Sequence, residues 1–109
     1  MSADPGARRR ALSLALDAID TELAQRYPGL PEPSPDDVAN GGAFGIATMA
    51  FPQWLRFVFV PVARRRIADD DLPSASAVAA QAVRELDGDD RATPLLGLLA
   101  DFDLLVTAP

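Results

Sequence analysis

The segment that decides the fold of this chain is Thr48-Met49-Ala50-Phe51-Pro52-Gln53-Trp54-Leu55-Arg56-Phe57-Val58-Phe59-Val60-Pro61, which contains the single Trp and three of the five Phe. Pro52 suits the first turn of a helix, and the apolar residues that follow recur at helical spacing. The segment therefore predicts an amphipathic helix that continues to about Ile67. Because its apolar arc is wide, we expect this helix to be central and Trp54 to anchor the core.

On a helical wheel, this helix has one buried face and one polar back. The predicted buried stripe consists of Phe51, Trp54, Leu55, Val58 and Val62. Val60 falls between Gln53 and Arg56, so we expect its side chain to be exposed. Pro61 lacks an amide donor and crowds the carbonyl of Phe57, which predicts a kink.

Three residues of this helix are candidates for contact with a partner: Arg56, Phe57 and Val60. They extend around the helix toward solvent and combine an Arg, an aromatic and an aliphatic side chain, a mixture that fits a contact surface. The alternative is an ordinary surface, since single exposed apolar residues are common. In a third interpretation, a second copy of the chain covers the wide apolar arc.

Two further helices are predicted from complete amphipathic stripes. The first begins at Asp4-Pro5, a cap followed by a first-turn proline, and ends near Arg26. Its apolar face consists of Leu12, Ala15, Leu16, Ile19, Leu23 and Tyr27. The last helix begins at Thr93-Pro94, and its apolar face consists of Leu95, Leu98, Leu99, Phe102, Leu105 and Val106.

A shorter helix and a long loop complete the predicted fold. Ser74 can cap a helix that ends near Leu86. Between Tyr27 and Ala43, four prolines and a Gly-Gly pair predict an extended loop with partly polyproline character. We therefore expect one all-α domain over residues 1–109, a four-helix bundle with a long Pro/Gly-rich loop between helices 1 and 2.

The composition excludes several kinds of catalytic and metal site. The chain has no His, no Cys and no Lys. It therefore cannot build a Ser-His-Asp or Cys-His nucleophilic site, or a zinc site with nitrogen and sulfur ligands. The acidic run 69–71 and the group Asp87, Asp89 and Asp90 lack the spacing of a calcium loop. We expect a protein that is not an enzyme and that uses no cofactor or metal.

The charge of the chain disfavours direct contact with nucleic acid. Sixteen carboxylates against ten Arg give a formal net charge of -6, which repels phosphates over most of the surface. Two local exceptions are the basic runs Arg8-Arg9-Arg10 and Arg64-Arg65-Arg66. If both lie at one end of the bundle, they form a basic patch that could bind RNA or a small anion. Otherwise they are solvated charges paired with nearby acids.

No segment of the sequence predicts contact with a membrane. The most apolar run, 51–63, is interrupted by Gln53 and Arg56, and it is shorter than the roughly 20 residues that a membrane span needs. The first residues lack the uninterrupted apolar core of a secretory signal. The sequence predicts a cytoplasmic protein.

The aromatic segment also resembles the signature of a known family. The pattern Thr-Met-x-Phe-x-Gln-Trp-Leu-x-Phe-Val-Phe-x-Pro is similar to that of the bacterial YqcC-like proteins, and here it consists of Thr48, Met49, Phe51, Gln53, Trp54, Leu55, Phe57, Val58, Phe59 and Pro61. Leu72-Pro73 and the closing segment 99–105 also match, so the resemblance spans essentially the whole chain. An acidic residue commonly precedes Thr-Met in the family, whereas this chain has Ala47 there.

The resemblance implies a small helical bundle with no established activity. The family also carries the label tRNA pseudouridine synthase C, but such synthases resemble a much larger domain of mixed sheet and helix. We therefore interpret the label as association with that enzyme. The expected function is binding of another protein, such as an RNA-modification enzyme, and the alternative is an accessory that binds RNA or a small anion through its Arg runs.

Overall fold

The computed structural model describes residues 5–107 and contains five helices within that range. They are α1 (Pro5–Arg26), α2 (Pro35–Asn40), α3 (51–68), α4 (Val78–Glu85) and α5 (Thr93–Thr107). No strand occurs among the described residues, so the predicted all-α class is confirmed. Asp4, which was predicted to cap the first helix, lies outside them.

Helix α1 is the element against which both other long helices pack. It packs against α3 and against α5, and α5 packs in turn against α4. Arg8, near the start of α1, donates to the carbonyl of Val106 at the end of α5 over 2.8 Å. Asp17 of α1 pairs with Arg64 of α3, and Asp20 lies near Arg56. Helix α1 therefore runs antiparallel to both α3 and α5.

The predicted apolar faces of α1 and α5 supply half of the buried residues of the core. Every predicted residue of α1 is buried except Ala15, which is partly buried and packs against the core. In α5 the fully buried side chains are Leu95, Leu99, Phe102 and Val106. Burial of one such Leu or Phe contributes about 1.5 to 3 kcal/mol, so these two helices supply much of the hydrophobic stabilisation.

The segment between α1 and α3 is not only a loop, as predicted, because it contains α2. The side chain of Ser34 caps this helix by accepting from the amide of Asp37 over 3.1 Å, and Pro35 occupies the first turn. Both are ordinary signals of a helix start. The predicted number of four helices is therefore wrong, and the high proline content of the segment concealed the fifth.

Helix α4 starts three residues later than predicted, at Val78 and not just after Ser74. Its cap comes from α5: the carboxylate of Asp103 accepts from the amide of Val78 over 3.2 Å and from that of Ala79 over 2.8 Å. The hydroxyl of Ser76 also donates to this carboxylate. A buried carboxylate on α5 thus sets the first turn of α4.

A polar cluster of three side chains joins the end of α1 to the start of α5. The hydroxyl of Tyr27 donates to Asp89 over 2.9 Å, and Arg91 pairs with Asp89 and stacks on the Tyr27 ring. Burial and the bond to Asp89 raise the pKa of Tyr27 from 10.0 to about 12. Hydrogen bonds from Arg91 and Tyr27 lower the pKa of Asp89 from 3.8 to about 2.

Candidate partner-binding surface on helix α3

Helix α3 contains one wide turn that changes which residues it buries. Its backbone is α-helical over Phe51–Trp54, π-helical over Leu55–Phe59, and α-helical again over Val60–Ala68. The amide of Val60 donates to the carbonyl of Leu55, five residues earlier. The wide turn adds one residue, which rotates everything after it by about 100° relative to a regular α-helix.

The buried residues of α3 follow this altered phase. Apart from Pro52 in the first turn, they are Phe51, Leu55, Val60, Ala63 and Ile67, with a step of five residues between Leu55 and Val60. Val60 is only 3% exposed, so its predicted place on the polar back is wrong. Val58 and Val62, which were predicted to be buried, are partly exposed. Val60 therefore belongs to the core and not to the candidate contact surface predicted from Arg56, Phe57 and Val60.

The same rotation creates a different apolar surface on α3. Phe57, Val58 and Val62 are partly exposed and are not among the half-buried side chains that pack against the core of the described residues. Pro61, between them, is exposed. Phe57 and Val58 lie in the wide turn, Pro61 and Val62 follow it, and none of the four is buried. We call these four residues the α3 outward strip.

Arginine side chains lie beside the outward strip. The guanidinium of Arg56 stacks on the Phe57 ring, 5.6 Å from its centroid. Its Nε lies 3.9 Å from the carboxylate of Asp20, a partly exposed pair. Such a pair contributes little, so Arg56 can exchange this contact for another. Arg65 follows Pro61 by one helical turn, is exposed, and has no ion pair within the described part of the chain.

Two polar residues of the aromatic segment have structural roles. The hydroxyl of Thr48 donates to the carbonyl of Asp37 over 2.6 Å and so holds α2. The amide group of Gln53 donates to the carbonyl of Pro31 over 2.9 Å and accepts from the amide of Ala50 over 3.0 Å. These bonds attach the proline-rich segment and α2 to the start of α3.

Trp54 covers the core and does not lie inside it. It is partly exposed, and its ring lies against those of Phe44, Phe51 and Phe59 at centroid distances of 5.2, 5.7 and 5.7 Å. A Cβ atom on Gly45 would lie 2.6 Å from Trp54 Cδ1, so only glycine fits beneath the indole. Trp54 therefore joins the turn before α3 to the core, which is a structural role.

The two basic runs come to the same end of the helices. Arg8 and Arg9 line a cleft of about 280 Å³ together with Ile67 and Asp70, just after the second run. The guanidinium of Arg8 donates to the carbonyl of Val106 at the end of α5, and Arg64 is paired with Asp17 at 2.7 Å. Arg8 is nevertheless exposed, as are Arg9, Arg10, Arg65 and Arg66, and Arg66 lines a different cleft.

Residues 5–107 provide neither a cluster of metal ligands nor a membrane span. That range holds no group of three or more acidic side chains placed to bind a metal ion. None of its helices combines the length and the apolar character that a membrane span requires.

Sequence signals for the outward strip were present but misread. After Pro61, the residues Ala63 and Ile67 keep a regular helical spacing with Val60 and not with Val58. Reading the stripe separately before and after the proline would have placed Val60 inside and Val62 outside. A proline inside an apolar helix is the signal that the phase can change.

A family model matches residues 11–105 of the chain. The family is DUF446, described as tRNA pseudouridine synthase C, and the chain belongs to it. This confirms the resemblance to the YqcC-like proteins that the aromatic segment indicated. Comparison with curated proteins and with solved structures finds no match for this chain.

Proposed function

We propose that this chain is a non-catalytic domain that binds another protein through the α3 outward strip. The observation that carries the proposal is that Phe57, Val58 and Val62 lie partly exposed on α3 without packing against the core of the described residues. Exposed apolar groups that lie side by side gain free energy when a partner removes them from water.

The shape and composition of the strip suit a protein partner. It is the convex side of a helix, which fits the groove or helix face of another protein better than it fits a small molecule. Its aromatic ring and the adjoining Arg56 belong to the residue types enriched in contact hot spots. A partner with an apolar ridge flanked by carboxylates would complement both Arg56 and Arg65.

The family description supports a particular class of partner. It names an enzyme that modifies tRNA, whereas this chain is all-helical and has neither His, Cys nor Lys. We propose that the description reflects association with a tRNA pseudouridine synthase or another RNA-modification enzyme in the cytoplasm. In this account the chain contributes contacts to the complex and does not perform the reaction.

Substitution of Val62 tests the surface directly. A carboxylate at this position would have to be desolvated without a partner in the complex, so Val62→Glu should weaken binding to the tRNA pseudouridine synthase at least tenfold while the fold is retained. Val83→Glu is the matched control, because Val83 is exposed at 57% on α4, away from the strip. Titration calorimetry and circular dichroism would measure binding and fold.

Three outcomes would contradict the proposal. They are no association of the wild-type chain at micromolar concentration, equal binding by the Val62→Glu and wild-type chains, and equal weakening by Val83→Glu. Sedimentation of the wild-type chain alone would show whether a second copy covers the strip instead. A dimer that Val62→Glu dissociates would identify self-association as the function of this surface.

The cleft lined by Arg8 and Arg9 supports a second candidate function, binding of RNA or a small anion. Arg9 is exposed there, but Asp70 lines the same cleft and opposes an anion. Phosphate contacts weaken steeply as salt rises, whereas an apolar protein contact does not. RNA binding that falls with salt and is reduced by Arg9→Gln, but not by Val62→Glu, would favour this candidate.

A further inference from the structure

A second, smaller cleft lies between α3, α5 and the segment that leads into α4. Its volume is about 200 Å³, and its lining residues are Phe59, Arg66, Leu72, Pro73, Ser76, Val78, Phe102 and Val106. Neither the outward strip nor the cleft lined by Arg8 and Arg9 includes Phe59 or Phe102. The family description says nothing that would assign it a ligand.

The cleft exists because α4 begins at Val78 and not just after Ser74. Asp103 accepts from the amides of Val78 and Ala79, so α4 begins there, and the segment just before Val78 forms no helical turn over α3 and α5. The rings of Phe59 and Phe102 then meet edge to face at 5.5 Å and form the aromatic wall of the cleft. Its shape therefore depends on the bonds of Asp103 and on the packing of these two rings.

The polar groups of the cleft select one kind of ligand. The hydroxyl of Ser76 donates its proton to Asp103, so its oxygen can only accept from a ligand. Arg66 is exposed and has no hydrogen bond or ion pair from its side chain within the described part of the chain. Its guanidinium can therefore bind a carboxylate at the mouth of an apolar cavity.

We propose that this cleft binds a small anionic amphiphile, an aliphatic carboxylate whose chain lies against Phe59 and Phe102 and whose head group pairs with Arg66. A volume of about 200 Å³ is below the roughly 300 to 1,000 Å³ of sites for drug-sized ligands, so a nucleotide does not fit. The apolar walls reject a fully polar anion, and the cation at the mouth rejects an amine.

Titration with octanoate tests this site, with octylamine and acetate as ligand controls. The single Trp is a reporter, because Trp54 lies 5.7 Å from the Phe59 ring. Backbone amide shifts of residues 72–78 locate the ligand. We expect saturable binding of octanoate and of neither control ligand. Arg66→Gln should weaken octanoate binding about fivefold, which corresponds to the contribution of a partly exposed ion pair. Arg65→Gln, an exposed neighbour outside the cleft, should bind octanoate like the wild type.

Several results would overturn the proposal. Absence of a saturable change, equal binding of octylamine, or unchanged binding by Arg66→Gln would each contradict the assigned ligand class. Shifts centred on Val58 and Val62 would place the ligand on the outward strip and not in the cleft. Because Arg66 is exposed, an unfolding midpoint equal to that of the wild type is expected for Arg66→Gln, so loss of binding is distinguishable from loss of fold.

Discussion

At the scale of single residues, Val60 is the position on which both faces of α3 depend. Its amide bonds to the carbonyl of Leu55, and its side chain enters the core with 3% exposure. The next residue, Pro61, has no amide hydrogen, and its ring would crowd the carbonyl of Phe57 in a regular α-helix. The wide turn relieves this crowding and turns Val62 outward.

Truncation of Val60 and of Val62 to Ala tests which of these two side chains α3 buries. Val60→Ala should lower the free energy of unfolding by about 2 kcal/mol, because it removes buried methyl groups and leaves a cavity. Val62→Ala, with the same chemical change at a partly exposed position, should cost about 0.5 kcal/mol or less. Urea unfolding of both variants provides the comparison. Equal midpoints would mean that α3 is regular and that the outward strip does not exist.

At the scale of elements, α4 depends on α5 for its existence. It has only eight residues, and no side chain at its N-cap position bonds to its first turn. Isolated helices of this length are marginal in water, so packing and capping must come from elsewhere. Asp103 supplies the cap from α5, and Ala82 of α4 is fully buried.

Removal of the Asp103 carboxylate should therefore loosen α4 selectively. Asp103→Ala leaves the amides of Val78 and Ala79 without their acceptor, and we expect a loss of about 2 kcal/mol in unfolding free energy. Asp101→Ala on the same helix is the control, because Asp101 is exposed. Amide hydrogen exchange should accelerate first in residues 78–85. Equal stability of the two variants would show that Asp103 does not cap α4.

At the scale of the whole molecule, the cluster of Tyr27, Asp89 and Arg91 holds together segments that are far apart in the sequence. Tyr27 follows α1 and Asp89 precedes α5, so the bond between them joins segments that are 62 residues apart. The cluster holds the far end of the α1 and α5 pair, while Arg8 holds the other end through the carbonyl of Val106. Both ends of the main helix pair are thus secured by side chains.

The raised pKa of Tyr27 predicts a loss of stability in alkaline solution. The folded chain holds the phenol proton until about pH 12, whereas an unfolded Tyr loses it near 10.0. This contribution is therefore complete below the unfolded value and disappears as the pH rises through the folded one. Because the chain has one Tyr, tyrosinate absorbance reports its titration directly.

Tyr27→Phe is the matched variant for this prediction. It should lower stability at neutral pH through the lost bond to Asp89, and its unfolding free energy should fall less than that of the wild type between pH 10 and 12. A Tyr27 titration midpoint near 10 in the folded protein would refute the prediction. So would identical alkaline profiles of the wild type and the variant.

Local signals in the sequence were sufficient to predict the all-helical class, the family and the helices α1 and α5. Helix α1 ends at Arg26 and α5 begins at Thr93, as the stripes and capping signals predicted. These features are local, because an amphipathic repeat and a cap residue act within a few residues of one another. The family resemblance rested mainly on the continuous segment 48–61, with shorter matches at Leu72-Pro73 and at 99–105.

Only the tertiary structure decided the phase of α3, the start of α4 and the surfaces proposed for binding. Val60 is buried and Val58 exposed because the rest of the core makes the wide turn favourable next to Pro61, a balance that a helical wheel does not contain. Helix α4 starts at Val78 because Asp103, 25 residues away, accepts its first amides. Contacts between residues so distant in sequence depend on packing, and packing sets which local option has the lowest free energy.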